Sequence, residues 1–179
     1  SIAYYSKIKN VDQIIENISN LKNPKGRFDL INFKTNKIIV DYAHTPESIS
    51  QVIKYVNPYF SKVVVLFGAG GNRDKEKRKL MGTASQLADS VIVTNDNPRN
   101  EDPIQISNDI LKGCDLSKTT VILDRKEAIT SAINELKENS VLLVLGKGHE
   151  MYQEINNSHI PFNDNDFINE TIGGLIWLQ

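Results

Sequence analysis

Cysteine is nearly missing from this chain: of its 179 residues, only Cys114 is a cysteine. A disulfide within the chain is therefore excluded, and this usage fits a protein of the cytoplasm. Long hydrophobic runs are missing as well, since none approaches the roughly 18 residues of a membrane-spanning helix. The N-terminus also lacks the charged and apolar segments of a signal peptide. We therefore expect a cytoplasmic protein without membrane insertion.

An excess of either charge is missing too, because 21 basic residues stand against 22 acidic ones and the net charge is −1. That balance argues against a nucleic-acid binder driven by bulk charge. Hydrophobic residues make up 40% of the chain, which is enough for a core. The length suits one α/β domain, or one domain with a fragment of another.

Segments typical of strands and of helices alternate along most of the chain. The runs Phe28–Phe33 and Lys37–Val40 flank a turn and predict a hairpin. Four later runs are short and lack polar alternation, as in strands buried on both faces: Val63–Phe67, Val91–Val93, Val121–Leu123 and Val141–Leu145. Apolar residues at helical spacing lie between the strands, in the segments Ile49–Val56, Leu80–Ala88 and Ala128–Leu136. The pattern predicts a Rossmann-like, doubly wound α/β fold, with a mostly parallel sheet and helices on both faces.

The two ends of the chain differ from this pattern. Apolar residues at helical spacing between Val11 and Ile18 predict a short amphipathic helix, and the turn-forming stretch Asn23–Arg27 marks a domain boundary. After the last buried run, Met151–Ile155 and His159–Phe162 predict a second hairpin, and a final helix is expected from about Asp164.

Four of the predicted strands end abruptly in polar or glycine-rich clusters, namely Asp41–Pro46, Gly68–Asp74, Asn95–Arg99 and Gly146–Glu150. The carboxyl ends of neighbouring parallel strands meet on one edge of an open α/β sheet, and ligands bind there. We therefore expect the four clusters to form one site.

Arginines in two of these clusters are suited to anions. In Gly68–Asp74 the glycines let backbone N–H groups face a ligand, and Arg73 precedes a predicted helix, where a carboxylate or phosphate is favoured. The segment matches neither a Walker A loop nor a GxGxxG sequence, and its glycines alone are more typical of a tight turn. Arg99 can hold a carboxylate through two N–H bonds, while Asp96 or Asn97 takes an ammonium or amide group. A charged surface turn is the alternative.

Acidic residues and histidines characterise the other two clusters. Glu150 is suited to an ammonium group and Lys147 to an anion, although a β-turn with solvated charges has the same sequence pattern. Asp41 is suited to ribose hydroxyls and His44 to a nucleotide, with a histidine satisfied in a helix cap as the alternative. His44 and His149 show no paired metal-ligand spacing, so we expect no fixed metal site.

The ordered set of these strings is more specific than any one of them. They read Asp41-Tyr-Ala-His-Thr-Pro, Phe67-Gly-Ala-Gly-Gly-Asn-Arg-Asp-Lys, Asp96-Asn-Pro-Arg and Gly146-Lys-Gly-His-Glu. With them, the chain resembles the C-terminal domain of the Mur ligase family, MurE type, over roughly residues 24–170. The resemblance implies that residues 1–22 are the tail of a central ATPase domain and that residues 23–179 form a C-terminal amino-acid-binding domain.

This resemblance implies an ATP-dependent ligase of peptidoglycan synthesis, which adds meso-diaminopimelate to UDP-N-acetylmuramoyl-L-alanyl-D-glutamate through an acyl phosphate. ATP and Mg²⁺ are the implied cofactors, with the magnesium sites in the central domain, and the implied protein is a monomer. Arg27 would be catalytic and reach the ATP phosphates, Asp41 would reach the ribose, and His44 would lie near the nucleotide. The implied amino-acid pocket consists of Arg73, Asp96, Asn97, Arg99, Gly146 and Glu150.

Diaminopimelate differs from lysine at its distal end, which carries a carboxylate as well as an ammonium group. Arg99 would satisfy that carboxylate and Glu150 the ammonium group, whereas Arg99 would repel lysine. A lysine-adding ligase, a folylpolyglutamate-like ligase and a non-enzymatic Rossmann-like module are the alternatives. The chain contains no GxxxxGK[ST] sequence, so we expect it to fold alone but not to ligate.

Overall fold

A six-stranded sheet and a separate two-stranded hairpin make up the strands of a computed structural model that describes residues 24–176. The helix predicted between Val11 and Ile18 lies outside the described residues. In chain order the elements are β1 (Asp29–Phe33), β2 (Asn36–Asp41), α1 (Pro46–Val56), β3 (Lys62–Phe67), α2 (Glu76–Ser85), β4 (Ser90–Val93), α3 (Pro103–Leu111), β5 (Thr119–Val121), α4 (Arg125–Asn134), β6 (Ser140–Leu145), β7 (Tyr152–Ile155), β8 (Ser158–Pro161) and α5 (Asp164–Ile176).

The main sheet has the strand order β1-β2-β6-β3-β4-β5, in which β1 is antiparallel to β2 and the other neighbours are parallel. Helices α1, α2 and α3 cover one face, and α4 and α5 cover the other. The predicted fold class is therefore confirmed. Because β6 lies between β2 and β3, the carboxyl ends of β2, β6, β3 and β4 are neighbours on one edge.

Burial on both faces explains why the central strands lack polar alternation. Every residue of β6 is buried. Its alternate residues Val141, Leu143 and Leu145 belong to the core beneath α1 to α3, whereas Leu142 and Val144 belong to the core beneath α4 and α5. A strand that serves two cores needs apolar side chains at consecutive positions.

One of the predicted helical stripes is partly wrong. The buried face of α2 includes Arg78, Met81 and Gly82, whereas Leu80 is 57% exposed and Leu87, which follows the helix, is 45% exposed. The helix turns Leu80 outwards because its inner face accommodates a buried arginine held by carboxylates. In the part of the chain that the structure describes, no helix is long and apolar enough to cross a membrane.

The bounds of β5 also differ from the prediction, since the strand is Thr119–Val121 and not Val121–Leu123. Among residues 24–176 it pairs only with β4 and lies at the edge of the sheet, where Val121 is 39% exposed. Because this edge strand is not buried on both faces, it needs no continuous apolar run, and the apolar run Val121–Leu123 did not coincide with its bounds.

The predicted second hairpin is confirmed as β7 and β8, and α5 begins at Asp164 as expected. Asn156 and Asn157 form its turn with φ values of 48° and 60°. These left-handed conformations suit a two-residue hairpin turn, and asparagine tolerates them better than most residues.

Candidate functional site

A cavity of about 410 Å³ opens at the carboxyl edge of the main sheet. Its size lies within the roughly 300–1,000 Å³ typical of small-molecule sites. All four clusters contribute to its lining, as the sequence predicted, and the six expected pocket residues lie together there with His44. These residues are Arg73, Asp96, Asn97, Arg99, Gly146 and Glu150.

Asp96 is the buried acid of the cavity. It is 9% exposed, and within residues 24–176 its carboxylate accepts no hydrogen bond. Burial raises the pKa of Asp96, although the charges of Arg125 and Lys147 act in the opposite direction. Gly146, at a φ of 109°, leaves room beside it, since a Cβ there would lie 2.6 Å from Asp96 Oδ2. This carboxylate is suited to a cationic group of a ligand.

Lys147 occupies an unexpected position. The sequence suggested that it would face an anion, but the side chain is fully buried, and Nζ donates to Glu150 Oε2 at 2.7 Å and to Asn97 Oδ1 at 3.0 Å. Asn97 Nδ2 donates to the same Glu150 oxygen at 2.8 Å. Burial acts to raise the pKa of Glu150, but the hydrogen bonds from Lys147 and Asn97, together with the charges of Lys147 and Arg99, outweigh it and lower that pKa. Glu150 is therefore held as a carboxylate.

Arg99 combines an unusual backbone conformation with a fixed side chain. Its φ is 54°, in the left-handed region that arginine rarely adopts. Nη1 donates to the Gly71 carbonyl at 2.9 Å, and Nε lies 2.8 Å from Glu154 Oε2 in an ion pair. Within residues 24–176, Nη2 makes no hydrogen bond, so donors remain for a ligand carboxylate.

The glycine-rich loop carries an exposed arginine, Arg73, and rests on a buried one, Arg78. The guanidinium of Arg78 donates to both Glu101 oxygens at 2.7 Å, to Asp109 at 3.1 Å and to the Gly70 carbonyl at 3.2 Å. This role of Arg78 could not be predicted from the sequence, because Arg78 lies in a run of basic residues that differ only in their partners in the fold.

Glu101 makes this network sensitive to acid. The hydrogen bonds from Arg78 lower the pKa of Glu101 from 4.5 to about 2. Because the folded-state pKa is depressed, the stabilisation is fully present above pH 4.5 and is lost as the pH falls towards about 2. We expect urea unfolding at a series of pH values to show that Glu101→Gln is less stable than wild type at pH 7, and that the difference narrows below pH 4.5. A difference in stability between the variant and wild type that stays the same at every pH would show that the ionisation of Glu101 does not stabilise the fold.

Arg27 lies beside the cavity and is exposed. Its guanidinium carbon is 4.6 Å from the centroid of the Tyr42 ring, and Tyr42 lines the cavity. His44 also lines the cavity, and its Nδ1 is 2.7 Å from the Tyr42 carbonyl. The structure therefore brings Arg27 and His44 into contact with the same tyrosine, Tyr42.

Asp41 has a structural role that the sequence did not indicate. Its two oxygens accept backbone N–H groups, one from Phe28 at 2.8 Å and one from Ala43 at 2.8 Å. The acid thus joins the end of β2 to the turn before β1. Each oxygen retains a lone pair that suits a hydroxyl group.

A fully buried ion pair holds the ends of β4 and β6. Arg125 and Asp164 have side chains that are 0% exposed, and their two N···O distances are both 2.8 Å. Arg125 also donates to the carbonyls of Asn95 at 3.3 Å and Leu145 at 3.1 Å. Burial is the largest single influence and acts to lower the pKa of Arg125, but the charge and hydrogen bonds of Asp164, together with the charges of Asp96 and Glu150, outweigh it and raise that pKa. The pair fixes two strand ends that carry the cavity loops.

Known proteins share this sequence pattern. The family model described as "Mur ligase, glutamate ligase domain" matches residues 26–148. The UDP-N-acetylmuramoyl-L-alanyl-D-glutamate–2,6-diaminopimelate ligase of Rickettsia prowazekii is 46% identical over 169 residues, which cover 92% of this chain and 35% of that protein. The ligase of the same name from Aquifex aeolicus is 43% identical over 155 residues, with coverages of 85% and 32%. The chain thus spans about a third of these relatives.

Solved structures lead to the same family. A structure of a UDP-N-acetylmuramoyl-L-alanyl-D-glutamate–2,6-diaminopimelate ligase has a TM-score of 0.82 and 35% identity, and the match covers 98% of this chain and 37% of that one. A Mycobacterium tuberculosis folylpolyglutamate synthase, complexed with ADP and AMPPCP, has a TM-score of 0.62 at 18% identity, covers 80% and 34%, and shares the fold alone. Since the family model covers well over half of its residues, the chain belongs to the Mur ligase family and contains the glutamate ligase domain.

Proposed function

We propose that this chain binds meso-diaminopimelate for an ATP-dependent ligase that adds it to UDP-N-acetylmuramoyl-L-alanyl-D-glutamate. The observation that carries the proposal is the presence of opposite charges in one cavity, with Arg99 beside the acids Asp96 and Glu150. A ligand end that bears both a carboxylate and an ammonium group satisfies both kinds of side chain. Relatives that are 43% and 46% identical and are named for diaminopimelate support the same substrate.

Five of the six pocket residues then bind or make room for the substrate, while Asn97 holds Glu150 through a hydrogen bond. Arg99 binds the distal carboxylate, and Glu150 and Asp96 bind the distal ammonium group. Arg73, on the exposed loop, binds the second carboxylate, and Gly146 leaves space for the substrate beside Asp96. The second amine remains outside these contacts and is the nucleophile that attacks the activated carboxyl group.

ATP is proposed to bind on the side of Arg27, where it would supply the phosphoryl group that activates the dipeptide carboxylate. Within the described residues the Arg27 guanidinium contacts the Tyr42 ring, so its N–H donors fit phosphate oxygens. The remaining lone pairs of Asp41 fit ribose hydroxyls, and His44 lies near this surface.

Mg²⁺ is proposed to bind in another domain, together with the P-loop and the UDP-substrate site. Within residues 24–176, no group of three or more His, Cys, Asp or Glu side chains is arranged to hold a metal ion. The boundary at residues 22–23, the lack of ligation by the chain alone, the monomeric state and the cytoplasmic location stay predictions.

Calorimetric titration of the chain tests the pocket directly. We expect meso-diaminopimelate to bind at least about tenfold more tightly than L-lysine, because one charge-assisted hydrogen-bonded contact contributes roughly 1.5–3 kcal/mol. L-lysine is the matched control, since it lacks only the distal carboxylate. Tighter binding of lysine would contradict the proposed substrate.

A chimera tests ligation. Residues 23–179 replace the corresponding C-terminal segment of the Rickettsia prowazekii ligase, and product formation is followed by mass spectrometry. We expect ATP-dependent addition of meso-diaminopimelate by the chimera and no addition by the chain alone. A folded chimera that adds lysine in preference, or that adds neither amino acid, would overturn the proposed function.

A further inference from the structure

The β7–β8 hairpin lies outside the main sheet but is hydrogen-bonded to the loop that follows β4. Gln153 Nε2 donates to the Asp96 carbonyl at 2.9 Å. The N–H of Glu154 donates to Asn97 Oδ1 at 2.9 Å, the oxygen that also accepts from Lys147. The hairpin therefore contacts the loop at two residues that line the cavity.

The same hairpin encloses Arg99 through its backbone. The N–H of Arg99 donates to the Glu154 carbonyl at 2.9 Å, and the Arg99 carbonyl accepts from the N–H of Asn156 at 2.9 Å. Arginine at a φ of 54° is strained, and such a conformation persists only where the surroundings determine it on several sides. The two backbone hydrogen bonds from the hairpin hold Arg99 in this conformation.

The side chain of Arg99 is anchored at two of its three nitrogens. Glu154 Oε2 lies 2.8 Å from Nε, and the Gly71 carbonyl accepts from Nη1 at 2.9 Å. Arginine has many rotamers, and fixing a flexible side chain in a complex costs free energy at the moment of binding. Two anchors fix the plane of the guanidinium before the ligand arrives.

We propose that Glu154 is a positioning residue that sets the preference for a substrate with a distal carboxylate, because it holds Arg99 in the orientation that binds this group. The inference rests on the proposed function. The Glu154 carboxylate also has an opposite effect, since its charge repels a nearby carboxylate. The orienting effect outweighs the repulsion, because a planar fork that is already aligned binds a carboxylate through two N–H groups.

Kinetic analysis of the chimera separates the two effects. For Glu154→Ala we expect the KM for meso-diaminopimelate to rise about tenfold, as befits one freed flexible side chain, while kcat and the KM for ATP stay within about twofold. Glu154→Gln should show a smaller rise, because its amide keeps a polar side chain of the same shape beside Nε but loses the charge of the ion pair. The selectivity over lysine should fall with Glu154→Ala, since lysine does not use Arg99.

Glu170→Ala is the matched control, because Glu170 is an exposed glutamate on α5. It should leave every constant unchanged. An unchanged KM in Glu154→Ala would overturn the proposal, and so would a lowered KM, which would show that Glu154 merely competes with the substrate for Arg99.

A measurement without substrate makes the test independent of ligation. In NMR spectra of the chain, the Nε–H signal of Arg99, assigned by its loss in Arg99→Lys, should be displaced from the position of free arginine, because a Glu154 carboxylate oxygen lies 2.8 Å from Nε. The displacement should disappear in Glu154→Ala and remain in Glu170→Ala. A displacement that survives in Glu154→Ala would overturn the positioning role. A chimera that does not use diaminopimelate would instead refute the proposed function, and the NMR result would still decide whether Glu154 positions Arg99.

Discussion

Replacing Arg99 with alanine is expected to lower kcat/KM for meso-diaminopimelate about 100-fold in the chimera. Truncating one partner of a desolvated charge pair costs roughly 2–5 kcal/mol, and about 2.7 kcal/mol corresponds to that factor. Lysine should be used as well as before or better, because the change leaves the acids Asp96, Glu150 and Glu154 near the distal end of the substrate. Competition between the two amino acids, read by mass spectrometry of the product, gives the ratio directly.

Arg99→Lys is the matched control for charge. It keeps the positive charge but loses the planar fork, so its selectivity should lie between those of wild type and Arg99→Ala. An unchanged preference for diaminopimelate in Arg99→Ala would show that the distal carboxylate binds elsewhere, with Arg73 as the next candidate.

Replacing Arg125 with methionine is expected to lower the free energy of unfolding by about 3–5 kcal/mol, the largest change in stability expected for the domain. The substitution leaves Asp164 as a buried charge without its partner and removes the donors to the carbonyls of Asn95 and Leu145. Urea denaturation gives the loss of stability from the shift of the midpoint at constant slope.

A double variant shows how much of that loss is an uncompensated charge. Arg125→Met with Asp164→Leu replaces both ions by apolar side chains, and we expect it to be more stable than Arg125→Met alone. Lys137→Met, at an exposed position after α4, is the control and should change stability by less than about 0.5 kcal/mol. A double variant that is no more stable than Arg125→Met would show that the lost hydrogen bonds, and not the stranded charge, account for the effect.

The sequence was sufficient for the sheet and for the meeting of the four clusters, because apolar runs and the glycine or polar residues after them are local signals. Contacts between residues that are far apart in the sequence could not be predicted. Arg78 and Arg125 are buried because they meet Glu101 and Asp164, which lie 23 and 39 residues away. Lys147 stands between two glycines, a pattern typical of an exposed turn, but its side chain is buried and donates a hydrogen bond to Asn97, 50 residues earlier.

In the cavity, too, local features were predicted from the sequence and long-range contacts were not. The residue types that line it were predicted, since arginines and acids after strand ends indicate a charged ligand site. The contacts that hold these side chains were not predicted. Asp41 accepts hydrogen bonds from backbone N–H groups, and Arg99 is held by a hairpin that the sequence did not connect with the site. Such contacts depend on which loops the folded sheet brings side by side.

The central strand of the main sheet is also the last of its six strands to be synthesised. Both β2 and β3 pair with β6, and in the described sheet these two strands are neighbours only through it. The 78 residues that follow Phe67, up to Leu145, take about 4–16 s to translate at roughly 5–20 residues per second. Until β6 is made, the edges of β2 and β3 that pair with it have no partner strand, and unpaired strand edges favour mispairing with other chains. A chain that ends before residue 140 therefore lacks the strand that links β1 and β2 to β3, β4 and β5 in the main sheet.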